Sequence, residues 1–480
     1  MNRPRSTWTI QWMLSASLLA ACGGDSTTRS GDTVAPSITL TAPAAFVDNL
    51  VGTLNLSASA SDNVGVSSVE YQVDGRTVES TSAGPTYAAS VPTGNHASGQ
   101  HVVRARARDV AGNVSGWSSA TVRFGGSVAL GQGFSKTDAW VAGLTAATAM
   151  VQAPDGRWFV AEQAGTVRIV ESNGTLRATP FLQLGGVDST GERGLIGLAL
   201  HPDFASNGYV YLHYTTNVAR VHNRISRFRA APPSANVAEV GEEFIIDDLP
   251  TLGPTNHNGG AIHFGIDGKL YVGVGDNANN ANAQSLATPL GKLLRFNDGG
   301  TIPNDNPFFL GSTGLAQAIW AYGLRNPFTF AVQPGTGRIH INDVGENTWE
   351  EINHGAAGAN YGWPGSEGPD NLSGGVTAPL FAYKHNATTI PGTGSGGFLL
   401  GQSIAGGVFY PTAGPFPSAL RSNYFFADFV TRFVGIIDMA NGNAAYTFAT
   451  LVGQPVDLRV GLDGALYVLT RNAITQITAP

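Results

Sequence analysis

A tight turn followed by an aromatic or β-branched strand recurs six times between Pro154 and Val468 of this 480-residue chain. The copies are Pro154-Asp155-Gly156-Arg157-Trp158-Phe159-Val160, Asn207-Gly208-Tyr209-Val210-Tyr211-Leu212 and Asp267-Gly268-Lys269-Leu270-Tyr271-Val272. Thr336-Gly337-Arg338-Ile339-His340-Ile341, Arg421-Ser422-Asn423-Tyr424-Phe425-Phe426 and Asp463-Gly464-Ala465-Leu466-Tyr467-Val468 complete the set. With Gly156, Gly208, Gly268, Gly337, Asn423 and Gly464 as markers, the spacings are 52, 60, 69, 86 and 41 residues. A unit of that period cannot bury its own apolar face and must stack on its neighbours. Six copies predict a six-bladed β-propeller, because closing the ring removes exposed sheet edges. A βαβ fold would need amphipathic helices between these strands, and none of useful length is present. The 62 glycines and the low charged fraction of 13% fit short strands joined by tight turns.

The propeller is assigned residues 126–480, and the length of the chain leaves room for a second domain upstream. From 34 to 125 the pattern is one of short alternating strands: Ile38-Thr39-Leu40, Leu54-Asn55-Leu56-Ser57-Ala58 and Val69-Glu70-Tyr71-Gln72-Val73. In Val103-Arg104-Ala105-Arg106-Ala107-Arg108, small or apolar side chains take one face and arginines the other. This rhythm predicts an immunoglobulin-like β-sandwich without a disulfide, so the whole is all-β. Asp62-Asn63-Val64-Gly65 and Asp109-Val110-Ala111-Gly112-Asn113 resemble bacterial Ig-like repeats. Their acids suit calcium, and turn chemistry explains them equally well. A spacer or adhesive role is expected of this domain, not catalysis.

Residues 1–21 have the pattern of a processing signal, with Arg3 and Arg5 ahead of an almost uncharged, largely apolar run that ends Leu19-Ala20-Ala21-Cys22. A small-residue pair before the chain's single cysteine resembles a bacterial lipoprotein cleavage box, and a plain signal peptide with an incidental cysteine is the alternative. Lipidation of Cys22 would leave no thiol to pair and would tether an exported protein to a membrane through the polar segment 22–33. Cleavage removes Arg3 and Arg5 and no acid, leaving 25 basic side chains against 34 acidic ones. That balance argues against a nucleic-acid partner.

Propellers carry their chemistry on loops at the mouth of the central channel, which directs attention to polar groups between the repeats. Asn256-His257-Asn258-Gly259-Gly260 leads into a strand ending at Gly275-Asp276. A histidine there can take a proton from an alcohol near neutral pH, and a carboxylate such as Asp276 could fix its tautomer. The plain alternative is a surface-loop histidine followed by a β-turn. Trp320, Trp349 and Trp363 could stack on a sugar, although buried blade aromatics are commoner. No Ser-His-Asp arrangement, cysteine cluster or HExxH zinc motif is found, and Gly392-Thr393-Gly394-Ser395-Gly396-Gly397 lacks the Lys-Ser/Thr of a phosphate loop.

Several further segments resemble the glucose/sorbosone dehydrogenase family. They are Gly191-Glu192-Arg193-Gly194-Leu195-Ile196-Gly197-Leu198-Ala199-Leu200-His201-Pro202-Asp203-Phe204, Gly291-Lys292-Leu293-Leu294-Arg295-Phe296 and Ile302-Pro303-Asn304-Asp305-Asn306-Pro307-Phe308. Tyr322-Gly323-Leu324-Arg325-Asn326-Pro327, Glu351-Ile352-Asn353 and Asn360-Tyr361-Gly362-Trp363-Pro364 follow in the family's order. The resemblance implies a six-bladed propeller that oxidises sugars with pyrroloquinoline quinone (PQQ) and calcium. It makes His257 the general base, Asp276 its orienting carboxylate, and Arg325 and Asn326 the pair on the quinone oxygens. Gly345 and Glu346 would offer calcium ligands, with Glu351 and Tyr361 at a further calcium site. The alternative for Arg325 is a buried arginine bonding backbone carbonyls. Glu192 stands where the family has a cofactor-site glutamine. Val430, Gln454 and Val456 fall where a lysine and two arginines meet the cofactor's carboxylates, although Arg432 and Arg459 lie close in sequence.

Three readings follow. The first is a quinoprotein that oxidises an aldose or related sugar alcohol and passes electrons to an external acceptor. The second is a non-catalytic surface propeller that binds carbohydrate or protein, and the third is a calcium-dependent lactonase-type hydrolase. The first leads because His257, Asp276, Arg325 and Asn326 are all present. For the anchor, Cys22→Ser is expected to release the protein from the membrane fraction in detergent partitioning. A wild-type protein that is already soluble, with its mature N-terminus elsewhere, would contradict lipidation.

Overall fold

A computed structural model describes residues 32–480 apart from 44–46, 51–52, 97–98, 125–129, 131–132, 240, 386–398, 400, 441–442, 452 and 480. Its strands form eight sheets, and the α-helices Phe204–Asn207 and Ala281–Gln284 have four residues each. Among the described residues no helix is long and apolar enough to cross a membrane. Cys22 and the cleavage motif lie outside the described residues.

Two of the sheets make the N-terminal sandwich. One joins Ser37–Ala42, Thr53–Ser61 and Thr86–Pro92, and the other runs Val47–Leu50, Ser118–Phe124, Gly99–Asp109, Val66–Val73, Arg76–Thr81. Strand period places Val103, Ala105 and Ala107 in the core beside Leu54, Leu56 and Tyr71. Arg104 and Arg106 take the other face and lie over the Trp117 ring at 4.3 and 4.6 Å. The Asp62 and Asp109 loops are held by turn chemistry. Asp62 accepts N–H bonds from Val64 and Gly65, and Asp109 accepts them from Gly112 and Asn113. Ligand oxygens of Asp32, Asp62 and Asp109 also lie within 4.8 Å of one another.

The remaining six sheets have four strands each, and the recurring segment is the second strand in every one. These second strands are Trp158–Glu162, Tyr209–Thr216, Leu270–Val274, Ile339–Asp343, Tyr424–Asp428 and Leu466–Thr470. The marker residue recurs because the turn before each strand needs left-handed backbone. Gly208 has φ 68°, and a Cβ there would stand 2.0 Å from the Ala230 carbonyl oxygen. In the fifth copy the left-handed position falls on Ser422, one residue before Asn423.

The first strands, Ala147–Gln152, Leu195–Leu200, Ile262–Phe264, Pro327–Val332, Ile404–Phe409 and Pro455–Val460, adjoin in chain order around the channel, and the last meets the first. The sixth sheet takes its outer strand from Ser135–Ala142, ahead of the first blade. That strand pairs antiparallel with Ala473–Thr478 through Ala473↔Ala142, Ile474↔Val141 and Thr478↔Ser135. Apolar clusters fill the gaps between blades, as where Phe159, Phe181 and Phe204 pack beside Leu195, Leu198 and Leu212. A fragment of residues 126–480 keeps the closing strand and is expected to unfold cooperatively near the full chain's transition. One starting at residue 143 leaves Ala473–Thr478 an open edge and is expected to melt lower or aggregate. Equal melting of the two fragments would contradict closure by that strand.

Candidate active site at one end of the channel

Antiparallel neighbours bring the start of each first strand and the end of each second strand to the same end of the ring. A cavity of about 230 Å³ opens there. Thr148, Ile196, Phe328, Ala405 and Val456, each the second residue of a first strand, form part of its lining. Gln163, Val344, Phe429 and Arg471, each the residue after a second strand, form another part. Loop residues Gly191, Glu192, Asn326 and Ser403 complete it. Asp457, Arg459 and His263 line a smaller space that shares Thr148, Ile196 and Phe328 with this cavity.

His257 lies beside Glu192, whose Oε2 accepts the His257 backbone N–H at 2.7 Å. The residue is only 9% exposed and has left-handed backbone, φ 56°, so it is not the surface-loop histidine of the plain alternative. That backbone costs roughly 1–2 kcal/mol in a non-glycine residue and persists because the surroundings fix it. Glu192 N–H donates to the Thr255 carbonyl at 2.9 Å, and Asn277 N–H to the His257 carbonyl at 3.2 Å. The sequence between His257 and Asp276 forms two strands, Ile262–Phe264 and Leu270–Val274, rather than the single strand expected. Their hairpin returns Asp276 to the histidine, with His257 Nδ1 2.7 Å from Asp276 Oδ1. Asp276 is 1% exposed and fully engaged. Oδ1 also accepts Ala278 N–H at 2.8 Å, and Oδ2 accepts the Trp363 indole N–H at 2.9 Å. With Nδ1–H given to the carboxylate, Nε2 is left as the proton acceptor.

Lys292 anchors the next loop. Its ammonium donates to the carbonyls of Asn282, Ala283 and Leu290 at 2.7–2.9 Å, and Asn282 donates to the Asp276 carbonyl at 2.9 Å. Burial pushes the lysine down to about 7, with the Asp276 charge acting in the opposite sense.

Arg325 and Asn326 stand on the fourth blade. Their backbone N–H groups both donate to Asp343, at 2.9 and 2.7 Å. Asn326 Oδ1 accepts Gly259 N–H at 2.9 Å, which ties this pair to the His257 loop. Arg325 Nη1 bonds the Val344 and Gly345 carbonyls, the arrangement the plainer alternative describes, while its buried Nε has no partner. Burial and the facing Glu351 push Asp343 well above the usual carboxylate range, against those two N–H bonds.

Gly345 and Glu346 gather around Glu367, whose Oε1 accepts N–H bonds from Glu346, Asn347 and Thr348 at 2.7–3.1 Å. Burial opposes that charge, but the amides hold it below its ordinary value. The neighbouring cavity, about 290 Å³, is lined by Glu346, Glu367 and Asp370 and, among the described residues, by no basic side chain. An oxygen-rich, cation-free lining of this kind fits calcium. Glu351 is buried on the next strand and pushed up to about 7 by burial, with Asn353 and Gly368 as its donors. The Tyr361 hydroxyl turns away to the His354 carbonyl at 2.7 Å.

The expected cationic positions are occupied differently. Val430 is 45% exposed, Val456 lines the cavity, and Gln454 contributes only a carbonyl that accepts Arg471 N–H at 3.2 Å. Arg459 is spent on Asp457 at 3.1 Å and the Met150 carbonyl at 2.8 Å, and Arg432 is exposed. The cation in the cavity is Arg471, which sequence reasoning missed. Reading one residue past the sixth repeat strand, where Gln163, Val344 and Phe429 stand in other blades, would have found it. Trp363 is buried, as blade aromatics are, and its indole N–H is also the second side-chain partner of Asp276. Among the described residues, the cavity wall holds Arg471 and one acid, Glu192, whose Oε2 is bonded to the His257 N–H, so Arg471 is the group there that suits an anionic cofactor.

A six-bladed propeller with a buried histidine–carboxylate pair at one channel end defines the class. The glucose/sorbosone dehydrogenase family profile matches residues 144–479, and the chain belongs to that family. A bacterial Ig domain profile matches residues 36–105. The aldose sugar dehydrogenase YliI of Escherichia coli is 29% identical over 318 residues, 62% of this chain and 80% of that protein. The human Hedgehog-interacting protein is 30% identical over 227 residues, 42% of this chain and 32% of that protein. The PQQ-bound aldose sugar dehydrogenase of Streptomyces coelicolor superposes with a TM-score of 0.59 at 25% identity, covering 73% of this chain and 100% of that one.

Trp363→Phe removes one donor from a buried carboxylate and is expected to lower stability by about 1.5–3 kcal/mol. Urea unfolding measures this, and an unchanged midpoint would show that the indole bond does not hold Asp276.

Proposed function

We propose that the protein oxidises an aldose or related sugar alcohol at its anomeric hydroxyl to a lactone, with PQQ and calcium as cofactors and an external electron acceptor. The observation that carries the reading is the His257–Asp276–Trp363 chain of hydrogen bonds beside the cavity holding Arg471 and Asn326. The names of the relatives and the PQQ-bound Streptomyces structure support it further.

Bound PQQ would supply the two-electron acceptor for hydride. The chain's own residues do the rest. A sugar hydroxyl is too weak an acid to lose its proton unaided, so His257 Nε2 accepts it as the hydride leaves. Asp276 holds the ring in the tautomer that keeps Nε2 basic and stabilises the imidazolium that forms. Trp363 and Ala278 keep that carboxylate from rotating away. Arg325 and Asn326 would face the quinone oxygens, where a cation offsets developing charge. Gly345 and Glu346 would hold calcium, with Glu351 and Tyr361 as donors of a further site. Lipidated Cys22 would tether the protein at a membrane, with the Ig-like domain as a spacer.

A second reading, a propeller that binds without catalysis, draws on Val430 and Val456 at the expected cationic positions. The similarity to the Hedgehog-interacting protein, whose name is not that of an enzyme, adds to it. His257→Ala separates the two. The variant, reconstituted with PQQ and calcium beside wild type, is expected to stay folded with some loss of stability, because Asp276 loses a partner, and to lose roughly two to four orders of magnitude in turnover, the range for a positioned base. Equal turnover would show that His257 is not the base.

A further inference from the structure

Among the described residues, Arg471 is the one basic side chain in the wall of the 230 Å³ cavity. Its Nη1 donates to the Ala147 carbonyl at 3.1 Å and its Nη2 to Gln163 Oε1, both neutral acceptors. No carboxylate among the described residues lies within ion-pair distance of it. Burial holds its guanidinium below the ordinary value, as expected for a desolvated charge without a counterion. Other cations near the channel are held by partners, Arg325 through its Nη1 bonds to the Val344 and Gly345 carbonyls. Arg459 pairs with Asp457, Arg193 with Asp188, and Lys292 is saturated by three carbonyls. A guanidinium carries five N–H donors in a planar fork that matches a carboxylate, and the two bonds described leave the rest of the fork available.

Position adds a direction. Arg471 leaves the sixth blade and bonds residues of the first, while Arg325 and Asn326 belong to the fourth. In a ring of six, these stand on opposite sides of the channel. A flat anionic ligand lying across the cavity meets Asn326 at one edge and Arg471 at the other.

We infer that Arg471 receives a carboxylate of the bound quinone, serving the role that the family alignment would give to Val430, Gln454 and Val456. The inference rests on the PQQ reading of the site. It explains how a cofactor with several carboxylates could be retained although those three positions carry no charge, since an unpaired buried carboxylate would otherwise oppose binding.

The test is equilibrium binding to the full-length protein in calcium buffer, comparing PQQ with its trimethyl ester, which keeps the ring system and lacks the charges. Wild type is expected to prefer PQQ over the ester. Arg471→Gln, which keeps a donor for the Ala147 carbonyl, is expected to bind PQQ roughly ten- to a hundred-fold more weakly. The ester should be little affected, and Arg471→Lys should recover most of the loss. Thermal melts of the variants confirm that they fold. A folded Arg471→Gln protein with wild-type affinity and preference would overturn the inference while leaving the PQQ reading standing. Wild type that binds both compounds equally would overturn it without any variant. Wild type that binds neither would overturn the PQQ reading itself.

Discussion

The pairing of Ser135–Ala142 with Ala473–Thr478 is the interaction on which the rest of the propeller depends. The residues around the cavity come from stretches as distant as Thr148 and Arg471, and they meet only if the sixth sheet closes against the first. A strand pair at the two ends of the ring therefore acts on every loop of the channel at once. Closure also demands close approach of adjoining first strands. A Cβ at Gly197 would stand 2.3 Å from the Gly260 carbonyl oxygen, so the second and third blades can meet there only across a bare backbone.

Within that frame the site is assembled around buried carboxylates rather than around the histidine alone. Asp276 binds His257, Trp363 and Ala278, and Asp343 binds the backbone of Arg325 and Asn326. Asn326 in turn holds Gly259, two residues from His257. The two halves of the site thus share one network, in which removing any member leaves a buried polar group without its partner. Low dielectric strengthens the bonds that are made and penalises those that are lost, which fixes the geometry of the site.

The blade count and the second strands were legible because the left-handed turn before each strand demands glycine or a close substitute, and aromatic or β-branched strands follow it at a regular period. The sandwich was legible from alternation, most clearly in Val103–Arg108. The closing strand Ser135–Ala142 was not, since its pattern is mostly exposed and its partner lies at the far end of the chain. His257 and Asp276 could be named from motif and spacing, but not the two-strand hairpin that joins them. Trp363 acts through a contact between blades, and Glu367 and Lys292 through bonds to loops of their own blades, none of which a strand or turn pattern encodes. Arg471 illustrates the limit best: an alignment looks for charge at Val430, Gln454 and Val456, whereas the ring allows any second-strand end to supply it.

Sugar oxidation on a bound quinone is the activity proposed for this propeller. The most direct measurement is the absorption spectrum of the full-length protein reconstituted with PQQ and calcium, recorded without oxygen as aldoses are added. Conversion to the reduced-quinone spectrum is expected on addition of at least one aldose. A holoprotein that forms and that no sugar reduces would contradict the account and favour a binding role.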